Sequence, residues 1–545
     1  MICTWIVSIS KGMSYLRRRL FPLIIAVIIL VILAPSVFSD SRDDEFVISF
    51  IDSGIQFNPI FSFTATEAQI YTAIYEGLVS YHPLTMEPVP AVAERWEVSP
   101  DGKTYTFFLR RDARYWNGDR VTAEDFRQTW LTLLDREADA AYNFLFDIIE
   151  GVRDYRTGAN PDPESVGLRA PEPGMFEVRL RTPASHFVRT LAHHAFVPVH
   201  RSVRRIRDWS DLPEIPGNGP YRIVERKPGE ILLERNPVYW DRRNVAIPYM
   251  RFLLFDLDDE SVTERFNRGE IDWVTGGMSL LEVEDSRTIV VNPLFATTYY
   301  FLRSDVEPFS DPRVRRALAL LLPWDEIRDP EIQFIPSPVL VPSIPYYPEV
   351  QGIEVADYDQ AMGLLEDAGY RDGIRIPTIS IHVPRGAESA RVAELMKDAW
   401  ENALQVSVDI VSTPYPEYFE SLRHSDFTVA TVSWIGDFAD PLTFLQMWIS
   451  DSNVNDAGFR DDRYDDLLDE AMAQLGISRY ETLAQAEEIL LQTGTVLPVS
   501  HSPAINLIDL QAVDGWHPNP LDIHPVKYLE FTDRAPLPGV VRFNR

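Results

Sequence analysis

His193, His194 and His200 form the densest group of potential metal ligands or acid–base catalysts in the chain. His194 and His200 lie too far apart for a ligand pair on one helical face, and no cysteine is near them. They read as ordinary core or surface histidines. Asp256, Asp258, Asp259 and Glu260 make a local acidic run, but it lacks the glycine and terminal glutamate of an EF-hand loop. It reads as a strand end followed by a helix start. No G-x-S-x-G elbow, P-loop or H-E-x-x-H is present. The 82 acidic residues allow many carboxylate pairs for hydrolysis, and nothing singles one out. Cys3 is the single cysteine, so an internal disulfide and a zinc site built on cysteine pairs are both excluded.

At 545 residues the chain is too long for one ordinary core, which predicts two lobes or more. Hydrophobic residues make up 45% and charged residues 24%, a globular profile. The 12 Trp and 22 Tyr suit walls that hold varied side chains, although such residues are core by default. The net charge of -31 argues against nucleic-acid or anionic-lipid partners, which need a basic footprint. It mildly favours cationic or zwitterionic ligands, and solubility alone also accounts for it.

Residues 11–39 have the layout of a signal peptide. Arg17, Arg18 and Arg19 precede an uncharged apolar run over 21–33, and Val37 and Ser39 sit at −3 and −1 of a cleavage site before Asp40. The alternative is an uncleaved anchor, since the run is strongly apolar but short for a span. Cys3 lies before the run and so is not a lipobox cysteine.

Strand-like and helix-like patterns alternate along the rest, which predicts an α/β fold. Strands are expected at 46–51, 104–109, 376–382, 406–411, 427–433 and 497–501, where β-formers and apolar residues cluster. Thr122 with Asp125 gives a capping-box-like start to a helix reaching about Leu134. A hairpin is expected over 221–235, with its tip at Lys227-Pro228-Gly229-Glu230. A helix over 261–267 should stop at Gly269, and Asp311-Pro312 should open another. Further helices are expected over 357–368 and 388–403, and near Arg463 and Glu481. No flexible linker is evident, which suggests lobes joined through short hinge strands.

A composite pattern runs through Ala93-Glu94-Arg95-Trp96, Ser99-Pro100-Asp101-Gly102, Tyr115-Trp116-Asn117-Gly118-Asp119 and Val121-Thr122-Ala123-Glu124-Asp125-Phe126. Gly217-Asn218-Gly219-Pro220-Tyr221, Arg268-Gly269-Glu270-Ile271-Asp272, Val314-Arg315-Arg316-Ala317-Leu318 and Leu497-Pro498-Val499 follow in order. From about Phe46 the chain thereby resembles the peptide/nickel/oligopeptide-binding family of extracellular solute-binding proteins (family 5). The resemblance implies a two-lobed, type II periplasmic-binding-protein fold with a small extra domain beside lobe I. It places lobe I at 40–78, 207–302 and 508–545, the extra domain at 79–206 and lobe II at 303–507. It implies a monomeric carrier of short peptides that serves an ABC permease and its ATPase subunits, exported to the periplasm, with no cofactor, no metal and no enzymatic activity.

An extended peptide offers one ammonium, one carboxylate and a row of backbone groups, so a tolerant binder should fix those constants. By resemblance, Ser433-Trp434-Ile435-Gly436-Asp437 is the ligand loop. Asp437 takes the carboxylate position for the α-ammonium, Trp434 a pocket wall, and Ser433 and Ile435 give backbone hydrogen bonds. Tyr142, Tyr299 and Tyr415 match positions near the ligand, and Arg423 an arginine that meets the peptide carboxylate. Thr431 and Ser389 depart from the family's best-known peptide binders, which leaves ligand length open. Dipeptides, a nickel chelate, haem or an oligosaccharide are alternative ligands within the family. An exported hydrolase is the reading from another class.

Overall fold

The computed structural model describes residues 44–52, 54–184, 186–255, 261–370 and 376–532, with the side chains of 415, 416, 420, 423 and 424 outside the description. The signal segment and the acidic run from Asp256 therefore lie outside the described residues. No helix among the described residues is long and apolar enough to cross a membrane.

One sheet of eleven strands carries both lobes. Its strands are β1 (Glu45–Ile51), β2 (Tyr221–Lys227), β3 (Glu230–Arg235), β4 (Tyr249–Phe255), β5 (Trp273–Val274), β6 (Ile289–Leu302), β7 (Ile335–Pro336), β8 (Ile379–Pro384), β9 (Val408–Thr413), β10 (Val429–Ile435) and β11 (Val496–Ile508). They lie in the order β9-β8-β10-β6-β11-β5-β1-β4-β3-β2, with β7 added beside β11. Lobe I is the β5-to-β2 side and lobe II the β9-to-β10 side.

β6 and β11 belong to both lobes, and this corrects the expectation of short hinge strands. They are 14 and 13 residues long, because they pair with each other in both lobes while the lobe I end of β11 also pairs with β5 and the lobe II end of β6 also pairs with β10. Their ladder is interrupted between Pro293 and Thr297, where the chain passes from one lobe to the other. The break begins at the cross-strand pair of Pro293 and Pro503, a natural place for a bend, since proline offers no N–H to the ladder. The strand expected at 497–501 is the lobe II half of β11.

The extra domain is a separate four-stranded antiparallel sheet, Ala93–Val98, Thr104–Leu109, Met175–Arg179 and Leu168–Glu172 in spatial order. Helix α1 (Ala65–Ile74) precedes it in the chain, and helix α2 (Ala123–Leu134) packs against it. Alternate strand residues and the buried stripe of α2 meet in its core, where Trp130 lies edge-on to Phe176 with ring centroids 5.0 Å apart. The Thr122–Asp125 pair forms the expected box, with Asp125 Oδ2 accepting from Thr122 N at 3.0 Å and from Thr122 Oγ1 at 2.7 Å.

The extra domain and lobe II are in contact. Arg156 is buried and holds Asp147 of its own domain through Nε at 2.6 Å, while its Nη1 donates to Asp451 O at 2.8 Å and its Nη2 to Asp451 Oδ1 at 3.0 Å. Arg153 Nε adds a bond to Asp451 Oδ2 at 2.6 Å. The cleft between the lobes is thus closed over on this side.

Candidate functional site

β10 leads into the site. Its pairing with β8 ends at Ala430. At Thr431 a side chain takes over. Tyr418 OH, from helix α3 (Tyr415–His424), accepts from Thr431 N at 3.0 Å and donates to Thr431 O at 2.8 Å. Backbone groups alternate sides along a strand, so Ser433 and Ile435 direct their N–H and C=O the same way as Thr431. Gly436 N, of the other parity, donates to Phe295 O on β6 at 2.8 Å. Residues 432–435 thus present a strand edge open to the cleft, the geometry that accepts an added extended segment.

Asp437 stands at the end of this edge. Its side chain is 3% exposed. Thr443 Oγ1 accepts from Asp437 N at 2.8 Å and donates to Asp437 Oδ2 at 3.1 Å. Gly436 permits the approach. A Cβ there would meet the Phe295 ring at 2.7 Å and Thr443 Cγ2 at 2.9 Å. Burial pushes the Asp437 carboxyl up to about 7, against the opposing Thr443 hydrogen bond.

His193 faces the carboxyl from the extra domain. Its Nδ1 accepts from Ala195 N at 3.2 Å, so the neutral ring carries its proton on Nε2, which lies 3.5 Å from Asp437 Oδ1. Burial, aided by neighbouring His194, holds His193 well below the usual histidine range. The contact is therefore between a neutral imidazole and a carboxyl, not an ion pair. Burial likewise pushes His194 down to about 3, and its Nε2 has no hydrogen-bond partner among the described residues.

These groups line a cavity of about 180 Å³ together with Tyr81 and Tyr142. Lys527 and Glu76 also border it, but they are matched to each other at 3.5 Å, and Glu76 further accepts from Trp240 Nε1 at 2.6 Å. Asp437 is thus a buried acid with no lysine or arginine partner among the described residues. Asn218, from the Gly217-Asn218-Gly219 motif, pins this wall, with Nδ2 donating to Glu76 O at 2.7 Å and Oδ1 accepting from Glu76 N at 3.1 Å.

A second cavity of about 680 Å³ adjoins the first. Phe63, Thr64, Phe419, Val432 and Trp434 border both. Phe63 lies 6.0 Å from Trp434 and 5.4 Å from Phe419 between ring centroids, so the divider is aromatic. It is fixed from below by the cap of α1, where Glu67 Oε2 accepts from Phe63 N and Thr64 N, both at 2.8 Å.

Of the residues singled out from the sequence, Asp437, Trp434, Ser433, Ile435 and Tyr142 come together at the small cavity. Tyr299 lines the large one, its hydroxyl 3.6 Å from Met447 Sδ. Tyr415 and Arg423 lie on α3, with their side chains outside the described residues. Sequence reasoning took His193 for an ordinary core or surface histidine, whereas it lines the site, and it missed Phe63, Phe419 and Trp448. His193 carried a faint signal, two adjacent histidines inside an otherwise apolar stretch. Thr64 and Glu67 stand at capping-box spacing, which was legible.

A two-lobed α/β molecule with an open strand edge and, in its interlobe cleft, a buried carboxyl that has no lysine or arginine partner among the described residues has the build of a solute-binding protein. The chain belongs to the bacterial extracellular solute-binding proteins, family 5, whose profile matches residues 87–456. It is 28% identical over 494 residues to the dipeptide-binding protein DppE of Bacillus subtilis, covering 87% of this chain and 88% of DppE. It is 28% identical over 482 residues to the periplasmic oligopeptide-binding protein OppA of Salmonella typhimurium, covering 85% and 88%. The Haemophilus influenzae OppA complex with RPPGFSPFR superposes with a TM-score of 0.80 at 26% identity, over 90% of this chain and 99% of that one. The unliganded open form of the murein tripeptide-binding protein MppA gives 0.61 at 25% identity, over 90% and 98%. The lobes here match the peptide complex better than the open form, in keeping with the Arg156–Asp451 contact.

Proposed function

We propose that this chain is the substrate-binding component of an ABC importer, capturing short peptides between its lobes and delivering them to a membrane permease. The single observation that carries this is Asp437, a buried acid with no lysine or arginine partner among the described residues, placed at the end of an open strand edge. Asp437 takes the peptide's ammonium, and Ser433 and Ile435 pair with its backbone. Trp434 and Tyr142 wall the first residue, and Tyr299 lines the space beyond. Tyr415 and Arg423 remain candidates for the far end on the resemblance alone.

The family's members are binding proteins, and this chain is read as one, without enzymatic activity or cofactor. The proposed layout is lobe I at 40–78, 207–302 and 508–545, the extra domain at 79–206 and lobe II at 303–507, with β6 and β11 crossing between the lobes near those boundaries, following a signal peptide or N-terminal anchor at 1–39. It works as a monomer in the periplasm, and its permease draws on ATPase subunits in the cytoplasm. A ligand that touches both lobes favours the closed state, since only differential contacts shift that equilibrium.

Calorimetric titration of the chain from residue 40 onward with a mixed set of tri- to pentapeptides tests the reading. Saturable binding of unchanged peptide is the expected result. No binding by any peptide, or peptide cleavage, would overturn it.

A further inference from the structure

The small cavity holds more than the ammonium site, and most of its wall is apolar. Thr64, Ala65, Ala68, Tyr71 and Thr72 line it from one face of α1, at the spacing of successive helical turns. Two of these are alanine, so the wall stops there at a methyl group. Leu521, Ile523 and Pro525 add an aliphatic stretch. That stretch is tied to α1, with Gln69 Nε2 donating to His524 O at 2.7 Å and Gln69 Oε1 accepting from His524 N at 2.8 Å.

The tyrosines of the cavity offer rings more than hydroxyls. Tyr75 OH donates to Phe57 O at 3.0 Å, Tyr142 OH to Phe63 O at 3.3 Å and Tyr71 OH to Gln56 O. Each hydroxyl is thus spent on a backbone carbonyl. Tyr142 lies edge-on to His193 and His194, with ring centroids 4.6 and 5.2 Å apart. These three rings form an aromatic face that reaches Asp437 through His193.

The charged groups of the wall are already matched. Both histidines are neutral. Lys527 Nζ lies 3.5 Å from Glu76 Oε1 and 3.7 Å from Asp241 Oδ2, and Glu76 is further bound by Tyr239 and Trp240. Asp437 is committed to the ammonium. A charged first side chain would therefore be buried here without a counterpart.

The space suits one large side chain. An apolar cavity of roughly 150 Å³ takes up a benzene ring, and this one measures about 180 Å³. Phe63, Phe419 and Trp434 divide it from the large compartment, so a peptide anchored at Asp437 meets it with its first residue.

We propose that the small cavity selects the ligand's first side chain, favouring a large apolar one such as phenylalanine or leucine, with Ala65 and Ala68 as the residues that leave it room. This rests on the peptide reading above.

The test is calorimetric titration with tetra-alanine and with its variants carrying phenylalanine or glutamate at the first position. The phenylalanine peptide should bind at least about tenfold tighter than tetra-alanine, and the glutamate peptide no tighter than tetra-alanine. Ala68→Leu fills the same space, so in that variant the phenylalanine advantage should disappear. Circular dichroism checks that the variant is folded. Equal or weaker binding of the phenylalanine peptide in the unaltered protein overturns the proposal while leaving peptide binding standing. So does a glutamate peptide that binds tightest, or a phenylalanine advantage that a folded Ala68→Leu leaves intact. The comparison in the unaltered protein needs no variant, so it decides the matter even where Ala68→Leu does not fold. Failure of every peptide to bind overturns both readings.

Discussion

His193 and Asp437 come from opposite sides of the cleft and meet there at 3.5 Å, the one as a neutral imidazole and the other as a buried carboxyl with no lysine or arginine partner among the described residues. Each is poor at ionising alone in this setting. A ligand ammonium changes that balance, because it supplies the charge that the site lacks.

The pH dependence follows from this. Burial pushes unliganded Asp437 up to about 7, and a bound ammonium stabilises the ionised form, so binding expels a proton from the protonated fraction. Affinity should be full above about pH 7 and fall roughly tenfold per unit below it, while the peptide amine stays charged up to its own value of about 8. Calorimetry in buffers of different ionisation enthalpy measures the proton release directly. A flat affinity profile through this range would contradict the assignment.

Folding stability responds with the opposite preference. The folded value of Asp437 lies above its unfolded one, so its protonated form stabilises the fold; that contribution is fully present below the ordinary value of 3.8 and is lost progressively as pH rises through about 7. Without ligand, Asp437→Asn should therefore be more stable than the unaltered chain at alkaline pH, by about 1–3 kcal/mol, with the difference shrinking in acid and vanishing only below the ordinary carboxyl value of 3.8. Thermal unfolding at the two pH values checks the sign.

Gly436→Ala should damage the site without touching a ligand. The added methyl meets the Phe295 ring at 2.7 Å and Thr443 Cγ2 at 2.9 Å, so the carboxyl next door must move. A stability loss of about 1–3 kcal/mol, together with weakened peptide binding, is expected from denaturant titration and calorimetry.

The Asp451 contact to Arg153 and Arg156 lies away from both cavities and bridges the extra domain to lobe II. Asp451→Asn should weaken peptide affinity by about three- to tenfold through the open–closed equilibrium alone. X-ray scattering should show the unliganded variant more extended than the unaltered protein. Unchanged affinity and size would mean that the contact does not report closure.

Much of this was legible in the sequence, because local chemistry decided it. The box at Thr122, the hairpin over 221–235 and the helix opened by Pro312 depend on neighbours in the chain, and each forms as expected. The loop ending in Asp437 was legible only through its resemblance to a family, since an aspartate after a strand is ordinarily a solvated one. What stayed hidden depends on distant pairing. β6 and β11 are long because each serves two lobes, and no local pattern records that. His193 gains its meaning from Asp437, far along the chain, and the aromatic divider joins Phe63 to Trp434 in the same way.

The central claim is that Asp437 receives a peptide's free ammonium. The direct measurement is a four-way titration, free-amine and N-acetylated tetrapeptide against the unaltered chain and Asp437→Asn. The account predicts that acetylation and the substitution each weaken binding by about 10- to 150-fold, and that the two together cost no more than either alone. Losses that simply multiply, or a free-amine peptide that binds Asp437→Asn as tightly as the unaltered protein, would contradict it.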